Sequence, residues 1–369
     1  MLLTIVVLGA GLGGLAVALS VKQESSDHDV LVVESAPVLT ELSCSKPSLE
    51  KLATSPQEFL VRRYDGCKLL GERQNFAAEM LAMYGSYYWD MHRADLQLAL
   101  FDRVESLGVR FQFGTLVTDV DPSIPQLITD KGERITGDLV IAADGLWSKA
   151  RSAVLGRPSP PINTGDLAYR IVLKSEDIKD RELLDFMKKP RIVNFPQCDR
   201  QLINPRLQKF LSQVDKVEKW KLMHLDELEK WYNEEATVVF LGDACHPMLP
   251  YMAQGAGSAL EDGAALGILL SKVQSREELP KALKIYQGLR APRSTALQKW
   301  SMKQRHTNHL PDGPEQEARD QLAVSQLYDQ QPGYPFYWID PAAQALVYGY
   351  DVIAELGKIG VEPAMQTSA

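Results

Sequence analysis

The sequence lacks the features that would indicate contact with a membrane, a nucleic acid or a metal ion. Its 369 residues contain no uninterrupted apolar run of about 18 residues, so we expect no transmembrane helix. The formal net charge is −8 and the basic residues form no cluster, which argues against a nucleic-acid surface. His306 and His309 are three residues apart, which could place two metal ligands on one helical face, but no third candidate lies nearby and an exposed helix is the favoured interpretation. The four cysteines show no metal-ligand spacing, so we expect no metal site.

The sequence also indicates neither disulfides nor an export signal. The four cysteines, at positions 44, 67, 198 and 245, include no C-x-x-C pair and are typical of reduced thiols in a cytosolic protein. The apolar N-terminus has no positive residues and is interrupted by four glycines within residues 9–14, which favours a buried strand over a signal peptide. We therefore expect a cytoplasmic protein. The sequence does not indicate its oligomeric state.

What the chain does contain is a glycine motif typical of dinucleotide binding. A short apolar strand over residues 3–8 is followed by Gly9-x-Gly11-x-x-Gly14 and by a helix that ends near Lys22. The first glycine permits a tight turn, the second lets a pyrophosphate approach the backbone, and the third lets helix and strand pack. The start of the helix offers unpaired N–H groups to the phosphates.

A second buried strand over residues 29–33 ends on Glu34, twenty residues after Gly14. A carboxylate at this point can accept hydrogen bonds from the ribose hydroxyls of a dinucleotide. The β-α-β order predicts the α/β fold class. The motif does not by itself separate NAD from FAD, and a glycine-rich turn in an ordinary parallel sheet is the alternative.

The rest of the chain continues the alternation of helices and strands. Helices are predicted over residues 93–106 and 255–270, and strands over residues 109–113, 117–120, 127–128, 138–142 and 237–241. A long helical region over residues 276–305 is expected to be interrupted near Pro292. Residues 311–340 are expected to be rich in loops, and residues 196–220 to form loop and helix.

Three further motifs follow in order. They are "MHRADLQLAL" (91–100), "GDLVIAADGLWSKAR" (137–151) and "TVVFLGDACHPMLPYMAQGAGSALEDGAALG" (237–267). Together with the opening motif they closely resemble the FAD-dependent aromatic hydroxylases, single-component flavoprotein monooxygenases of the salicylate-hydroxylase type. The resemblance extends from residue 3 to about residue 355.

The resemblance implies a particular fold. It combines a Rossmann-like FAD-binding domain with an interleaved, shortened β-sheet substrate domain and a helical C-terminal region. We expect the FAD-binding domain to be discontinuous, over residues 1–160 plus 235–300, the substrate domain to cover 161–234, and the C-terminal helical and loop region to cover 301–369.

The resemblance also implies roles for individual residues. Arg93 would contact FAD near its phosphates or ribityl chain, and Asp144 belongs to a motif that faces both FAD and NAD(P)H. Asp243 would bind the ribityl hydroxyls, and the helix that starts at Gly255 and Ala256 would approach the isoalloxazine ring. From the residues alone, Asp144 is equally a turn residue, Asp243 a helix N-cap, and the small residues a helix-packing stripe.

By the same resemblance, Arg170 in "LAYRIVL" (167–173) would be a catalytic residue facing the substrate, where a cation stabilises a phenolate or carboxylate. The alternative is a solvent-exposed arginine at a sheet edge. No second G-x-G-x-x-G motif exists for NAD(P)H, so we expect this cosubstrate to visit the FAD face transiently. The implied reaction is the hydroxylation of a phenolic or other aromatic small molecule by O2, in secondary metabolism.

The chain departs from the family pattern at two places. Residues 43–56 replace a glycine-rich stretch and a helix, and residues 196–220 replace several strands of the substrate sheet. Missing central strands would leave sheet edges unpaired. A truncated, catalytically impaired or inactive FAD-binding homologue is therefore the alternative function. An NAD-dependent dehydrogenase would need a catalytic constellation that we do not find.

Overall fold

The computed structural model describes residues 3–25, 27–39, 49–196, 204–361 and 363. The strands are β1 (Thr4–Leu8), β2 (Asp29–Val33), β3 (Glu58–Arg62), β4 (Leu69–Gln74), β5 (Arg110–Gln112), β6 (Val117–Asp121), β7 (Gln126–Thr129), β8 (Arg134–Thr136), β9 (Leu139–Ala142), β10 (Ile162–Arg170), β11 (Arg191–Asn194), β12 (Glu218–His224) and β13 (Val238–Phe240). The helices are α1 (Leu12–Glu24), α2 (Leu49–Leu52), α3 (Phe76–Tyr84), α4 (Arg93–Ser106), α5 (Lys149–Leu155), α6 (Arg181–Met187), α7 (Pro205–Leu211), α8 (Gly255–Ser271), α9 (Leu279–Asn308), α10 (Pro314–Ser325), α11 (Pro341–Tyr348) and α12 (Val352–Lys358).

A five-stranded parallel sheet forms the centre of the molecule, with strand order β13-β9-β1-β2-β5. Apart from Thr4 at the start of β1, the neighbouring strands β1 and β9 consist of aliphatic residues that are almost completely buried on both faces. Such continuous apolar runs are typical of parallel strands covered by helices on each side. The sheet confirms the predicted α/β class.

Helices α1 and α8 pack closely against each other beside this sheet. A Cβ atom on Gly263 would lie 2.6 Å from Ala16 Cβ, and one on Gly267 would lie 2.4 Å from Ser20 Cβ. These distances are too short for any side chain, so the small residues in the middle of α8 are needed for helix packing. Small-residue packing, the alternative interpretation of this helix, therefore applies to its middle.

The remaining strands form three smaller sheets. Strands β6, β7 and β8 form an antiparallel meander, and β10 pairs with β12 in a two-stranded antiparallel ribbon, here called the β10–β12 ribbon. The third sheet has the order β11-β3-β4, with β11 parallel to β3. It joins chain segments on both sides of residue 160. The predicted division into an FAD-binding domain, a substrate domain and a C-terminal region stays a prediction.

The structure corrects three local predictions. Helix α9 continues through Pro292, because Arg290 and Arg293 on either side of it are bonded to Asp262 and Glu261 of α8. These contacts offset the cost of about 3 kcal/mol that an interior proline imposes. Residues 314–325 form helix α10 and not a loop, and the expected loop and helix of residues 196–220 end in strand β12.

Both places where the chain departs from the family pattern lie partly outside the described residues, at 43–48 and 197–203. Their described parts include α2, α7 and the first residues of β12. Among the described residues, no helix combines the length and the hydrophobicity needed to cross a bilayer.

Candidate functional site

A cleft of about 670 Å³ opens at the carboxyl ends of β1, β2, β9 and β13. Ligands of parallel α/β sheets bind at this edge. The predicted cofactor residues that line the cleft are Gly9, Gly11, Glu34, Arg93, Asp144, Asp243, Gly255 and Ala256. Gly14 lies behind this lining, in the first turn of α1. The fold therefore brings five distant chain segments together at one cleft.

The three glycines of the opening motif differ in what requires them. Gly9 has a φ of +106°, and a Cβ atom there would lie 2.6 Å from the Ala143 carbonyl oxygen. A Cβ atom on Gly14 would lie 2.0 Å from the Gly9 carbonyl oxygen. Gly11 is different, since a Cβ atom there would meet no atom of the described chain within 4 Å. The fold needs Gly9 and Gly14, whereas Gly11 leaves open space in the cleft wall.

The glycine loop is held by two side chains. The Ala10 N–H donates to Glu34 Oε2 at 2.7 Å, and Gln97 Nε2 donates to the Ala10 carbonyl at 2.8 Å. Glu34 Oε1 also accepts from the N–H of Ala36 at 2.8 Å. Glu34 thus binds both the glycine loop and the turn that follows β2, and it also lines the cleft. Gln97 is a supporting residue that the sequence did not single out.

The two carboxylate oxygens of Asp144 differ in their hydrogen bonding. Its Oδ2 accepts from the N–H groups of Lys149 and Ala150, at 2.7 and 3.2 Å, at the start of α5. Its Oδ1 is buried without a hydrogen-bond partner among the described residues. Burial raises the pKa of this carboxyl. A buried acceptor without a partner costs free energy unless a ligand completes it.

Asp243 faces the cleft, and its carboxylate has no hydrogen bond within the described part of the chain. It caps no helix: the residue before α8 is Gln254, and Leu241 precedes the short 3₁₀ turn Gly242–Ala244. Although part of Asp243 is open to the cleft, shielding by the surrounding protein raises its pKa, and the nearby charges of His246 and Arg93 oppose this. The N-cap interpretation of Asp243 is therefore wrong.

Arg93, the first residue of α4, is exposed within the cleft and forms no ion pair with the described residues. A Cβ atom on Gly255 would lie 4.0 Å from Asp243 Oδ1, and one on Gly257 would lie 3.7 Å from Gln254 Oε1. The first turn of α8 is therefore open to the cleft, unlike the middle of that helix. The cleft presents a cation, a carboxylate and an uncovered helix start.

Behind the cleft lies a buried charged network that the sequence analysis missed. Asp262 and Arg290 are completely buried, and both bond to each other and to groups near the cleft. His246 also contacts Asp262. A usable signal was the pair Glu261-Asp262 within an otherwise apolar, small-residue helix, because buried acids need partners.

Arg170 lies at the end of β10, opposite Glu218 of β12, and is half-buried. Arg170 is not one of the described residues that line the cleft. A second cavity of about 510 Å³, lined mainly by apolar residues after β10 and on α6 and α7, shares no described lining residue with the cleft.

The comparisons with known proteins agree with this site. Residues 204–301 match a family model described as an FAD binding domain. The FAD-dependent monooxygenase OpS4 of Beauveria bassiana is 37% identical over an alignment of 415 residues, which covers 95% of this chain and 96% of that protein. The alignment is longer than this chain of 369 residues, so the chain has gaps relative to OpS4.

Two other proteins are similar over most of the chain. The 6-hydroxynicotinate 3-monooxygenase of Pseudomonas fluorescens is 28% identical over 80% of this chain and 90% of that protein. A crystal structure of Klebsiella pneumoniae HpxO complexed with FAD and uric acid has the same fold, with a TM-score of 0.72 at 20% identity over 88% of this chain and 93% of that one. With the cleft, these similarities show that the chain belongs to the FAD-dependent monooxygenases of the aromatic-hydroxylase family and has FAD as its cofactor.

Proposed function

We propose that this protein hydroxylates a phenolic or other aromatic small molecule with O2 and NAD(P)H. The observation that carries the proposal is the cleft at the strand ends. Asp243 and Arg93 line it without a bonded partner among the described residues, and Asp144, whose buried Oδ1 has none, lines it as well. These groups fit FAD: the hydroxyls of its ribityl chain can donate to carboxylates, and its pyrophosphate attracts a cation.

We assign the residues of the cleft to parts of FAD. Gly9, Gly11 and Gly14 shape the loop that admits the pyrophosphate, and Glu34 binds the adenosine ribose. Arg93 and Asp144 contact the phosphate and ribityl region. Bound FAD supplies the redox chemistry that places one oxygen atom of O2 on the substrate at the expense of NAD(P)H.

Asp243 and the start of α8 complete the assignment. Asp243 accepts hydrogen bonds from the ribityl hydroxyls, and Gly255 and Ala256 let the helix start approach the isoalloxazine ring. The partial positive charge at a helix start favours negative charge on that ring.

For Arg170 we keep the role of a cation that faces the substrate. Support comes from β10, which carries it: Asp166 on the same strand accepts a hydrogen bond from Tyr251 OH at 3.1 Å. Tyr251 follows Pro250, which lines the cleft. The strand that holds Arg170 is therefore attached to the rim of the cleft, and Arg170 acts by stabilising a phenolate or carboxylate.

We further propose a cytoplasmic location and a place in secondary metabolism. The free thiols of Cys67 and Cys245, the latter buried, agree with a reducing compartment. NAD(P)H approaches from the Asp144 side of the cleft, where the exposed side chains of Trp147 and Lys149 also line it.

A second candidate is a shortened homologue that binds FAD without hydroxylating a substrate. It is favoured by the apolar cavity of the substrate region, which shares no described lining residue with the cleft, and by the reduction of one sheet to the β10–β12 ribbon. A substrate held in that cavity would not reach the flavin.

Two measurements separate the candidates. The purified protein should show a flavin absorption spectrum with stoichiometric FAD, and Asp243→Ala should lose most of it. NAD(P)H oxidation should then accelerate in the presence of a phenolic substrate and yield a hydroxylated product. Stoichiometric FAD without acceleration by any of a broad set of phenols would favour the second candidate. Full flavin content in Asp243→Ala would contradict the assignment of this residue.

A further inference from the structure

The carboxylate of Asp262 is the centre of the buried network behind the cleft. Its Oδ2 accepts from the Gly242 N–H at 3.0 Å and contacts His246 Nε2 at 2.5 Å, and its Oδ1 accepts from Arg290 Nε at 2.8 Å. The side chains of Asp262 and Arg290 are fully buried, and that of His246 is 2% exposed. Three donors from two chain segments, residues 242–246 and helix α9, therefore meet on one carboxylate.

The surrounding charges keep this carboxylate ionised. Burial opposes the ionisation of Asp262, but His246 and Arg290 outweigh it and lower its pKa to about 2. Arg290 Nη1 also lies 2.7 Å from Glu261 Oε2, and the same oxygen accepts from Arg293 Nε at 2.7 Å. Two acids on α8 thus face two arginines on α9, and buried ion pairs held this way fix geometry more than they add stability.

The position of Asp262 links two parts of the cleft wall. It lies on α8, whose first residues Gly255 and Ala256 line the cleft. It also holds the N–H of Gly242, a residue in the left-handed region at φ +59°, directly before Asp243. The turn that carries Asp243 and the start of α8 are therefore connected through one buried side chain.

We propose that Asp262 is a positioning residue for FAD: by holding Gly242, His246 and Arg290 together, it fixes the Asp243 carboxylate relative to the start of α8. Asp262 is not among the described residues that line the cleft, and it acts through the Asp243 turn. The inference rests on the proposed assignment of Asp243 and Ala256 to FAD.

Asp262→Asn tests it, because the amide keeps the shape but loses the charge and one acceptor. The dissociation constant for FAD, measured by titrating apoprotein and following flavin fluorescence, should rise about 10-fold or more, which corresponds to ~1.4 kcal/mol. The visible circular dichroism of bound flavin should also change. A purely structural role would lower the melting temperature of the apoprotein and leave both flavin signals unchanged.

Asp320→Asn is the matched control. Asp320 is a buried carboxylate bonded to Arg319, its side chain is 3% exposed, and it is not among the described residues that line the cleft. Its loss should lower the melting temperature while the FAD dissociation constant stays within about 2-fold, as expected for distant sites. If Asp320→Asn weakens FAD binding as much as Asp262→Asn, the inference is wrong.

Arg290→Lys decides the question if Asp262→Asn does not fold. Lysine keeps the charge but cannot bond Asp262 and Ser258 in the same way, and the FAD dissociation constant should rise about 3-fold. An unchanged constant in a folded Asp262→Asn or Arg290→Lys protein overturns the inference. Failure of the proposed function would give different results from failure of this inference. In that case the wild-type protein would bind FAD without hydroxylating a substrate, or Asp243→Ala would keep its full FAD content.

Discussion

Arg305 on α9 and Asp166 on β10 form a two-point ion pair that joins helix α9 to the β10–β12 ribbon. Arg305 Nε lies 2.5 Å from Asp166 Oδ2 and Nη2 lies 3.0 Å from Oδ1. The two side chains are 30% and 26% exposed. Hydrogen bonding to Arg305 lowers the pKa of Asp166. Because the ribbon has only two strands, this pair is a main attachment to the rest of the molecule.

Asp166→Asn should therefore loosen the ribbon. We expect the free energy of unfolding to fall by about 1.5–3 kcal/mol, the range for hydrogen bonds to charged groups. Limited proteolysis should cleave the ribbon faster, while the FAD content should not change. The exposed pair Arg110–Asp29 provides the control, since Asp29→Asn should cost at most about 1 kcal/mol. Equal losses in both variants would contradict a special role for the Asp166 contact.

A second prediction concerns Ala253, which has φ 47° and ψ 31° at the end of a 3₁₀ turn beside the cleft. A side chain in this left-handed region destabilises the folded protein by roughly 1–2 kcal/mol. Glycine removes this strain, but it also makes the unfolded chain more flexible, and this offsets part of the gain in stability. Ala253→Gly should raise the free energy of unfolding by about 0.5 kcal/mol in urea titrations. Ala318→Gly, on the exposed face of α10, should lower it by about 1 kcal/mol.

The parts of the fold that the sequence predicted well are those with strong local patterns. Strand β2 and helix α4 were confirmed with their predicted bounds, and β9, β13 and α8 were confirmed within two residues. Buried parallel strands are continuous apolar runs, and an amphipathic helix repeats every 3.6 residues, so neither depends on distant contacts.

One failure has a local cause and the other a tertiary cause. Helix α10 was missed because the prolines and glycines around residues 311–340 concealed its start at Pro314 and its acidic first turn. Proline at the first helical position is in fact a start signal. Pro292 lies inside α9 because ion pairs to α8 hold the helix on both sides, and no local pattern predicts those contacts.

The site shows the same division. The glycine motif, Glu34 and the Asp-Gly and Gly-Asp pairs were found because each follows a strand, and the ends of parallel strands share one edge of the sheet. The Asp262 network was missed because its partners lie 16 and 28 residues away in the sequence. The charges of Asp262, His246 and Arg290 interact only because the fold buries them together. The role of Arg170 stays a prediction.

A third prediction separates binding from folding within the glycine motif. Gly11→Val should keep the apoprotein stable within about 1 kcal/mol, because its side chain points into open space and its φ of −68° suits any residue. FAD content should fall sharply, since the new side chain blocks the pyrophosphate. Gly14→Ala should instead fail to fold, because its Cβ atom would lie 2.0 Å from the Gly9 carbonyl oxygen. A Gly11→Val protein that purifies with full flavin would show that this loop does not hold FAD.

The final prediction concerns acid stability. In the folded protein the pKa of Asp262 is lowered from 3.8 to about 2, so the carboxylate binds a proton less readily than in the unfolded chain. A group with a lowered pKa stabilises the fold above its unfolded pKa, and this contribution disappears as the pH falls through the folded value. The free energy of unfolding should therefore decline between about pH 4 and pH 2, and Asp262→Asn should decline less steeply over the same interval. Urea titrations at half-unit steps of pH measure both slopes, and parallel curves would show that Asp262 takes up its proton at the same pH in both states.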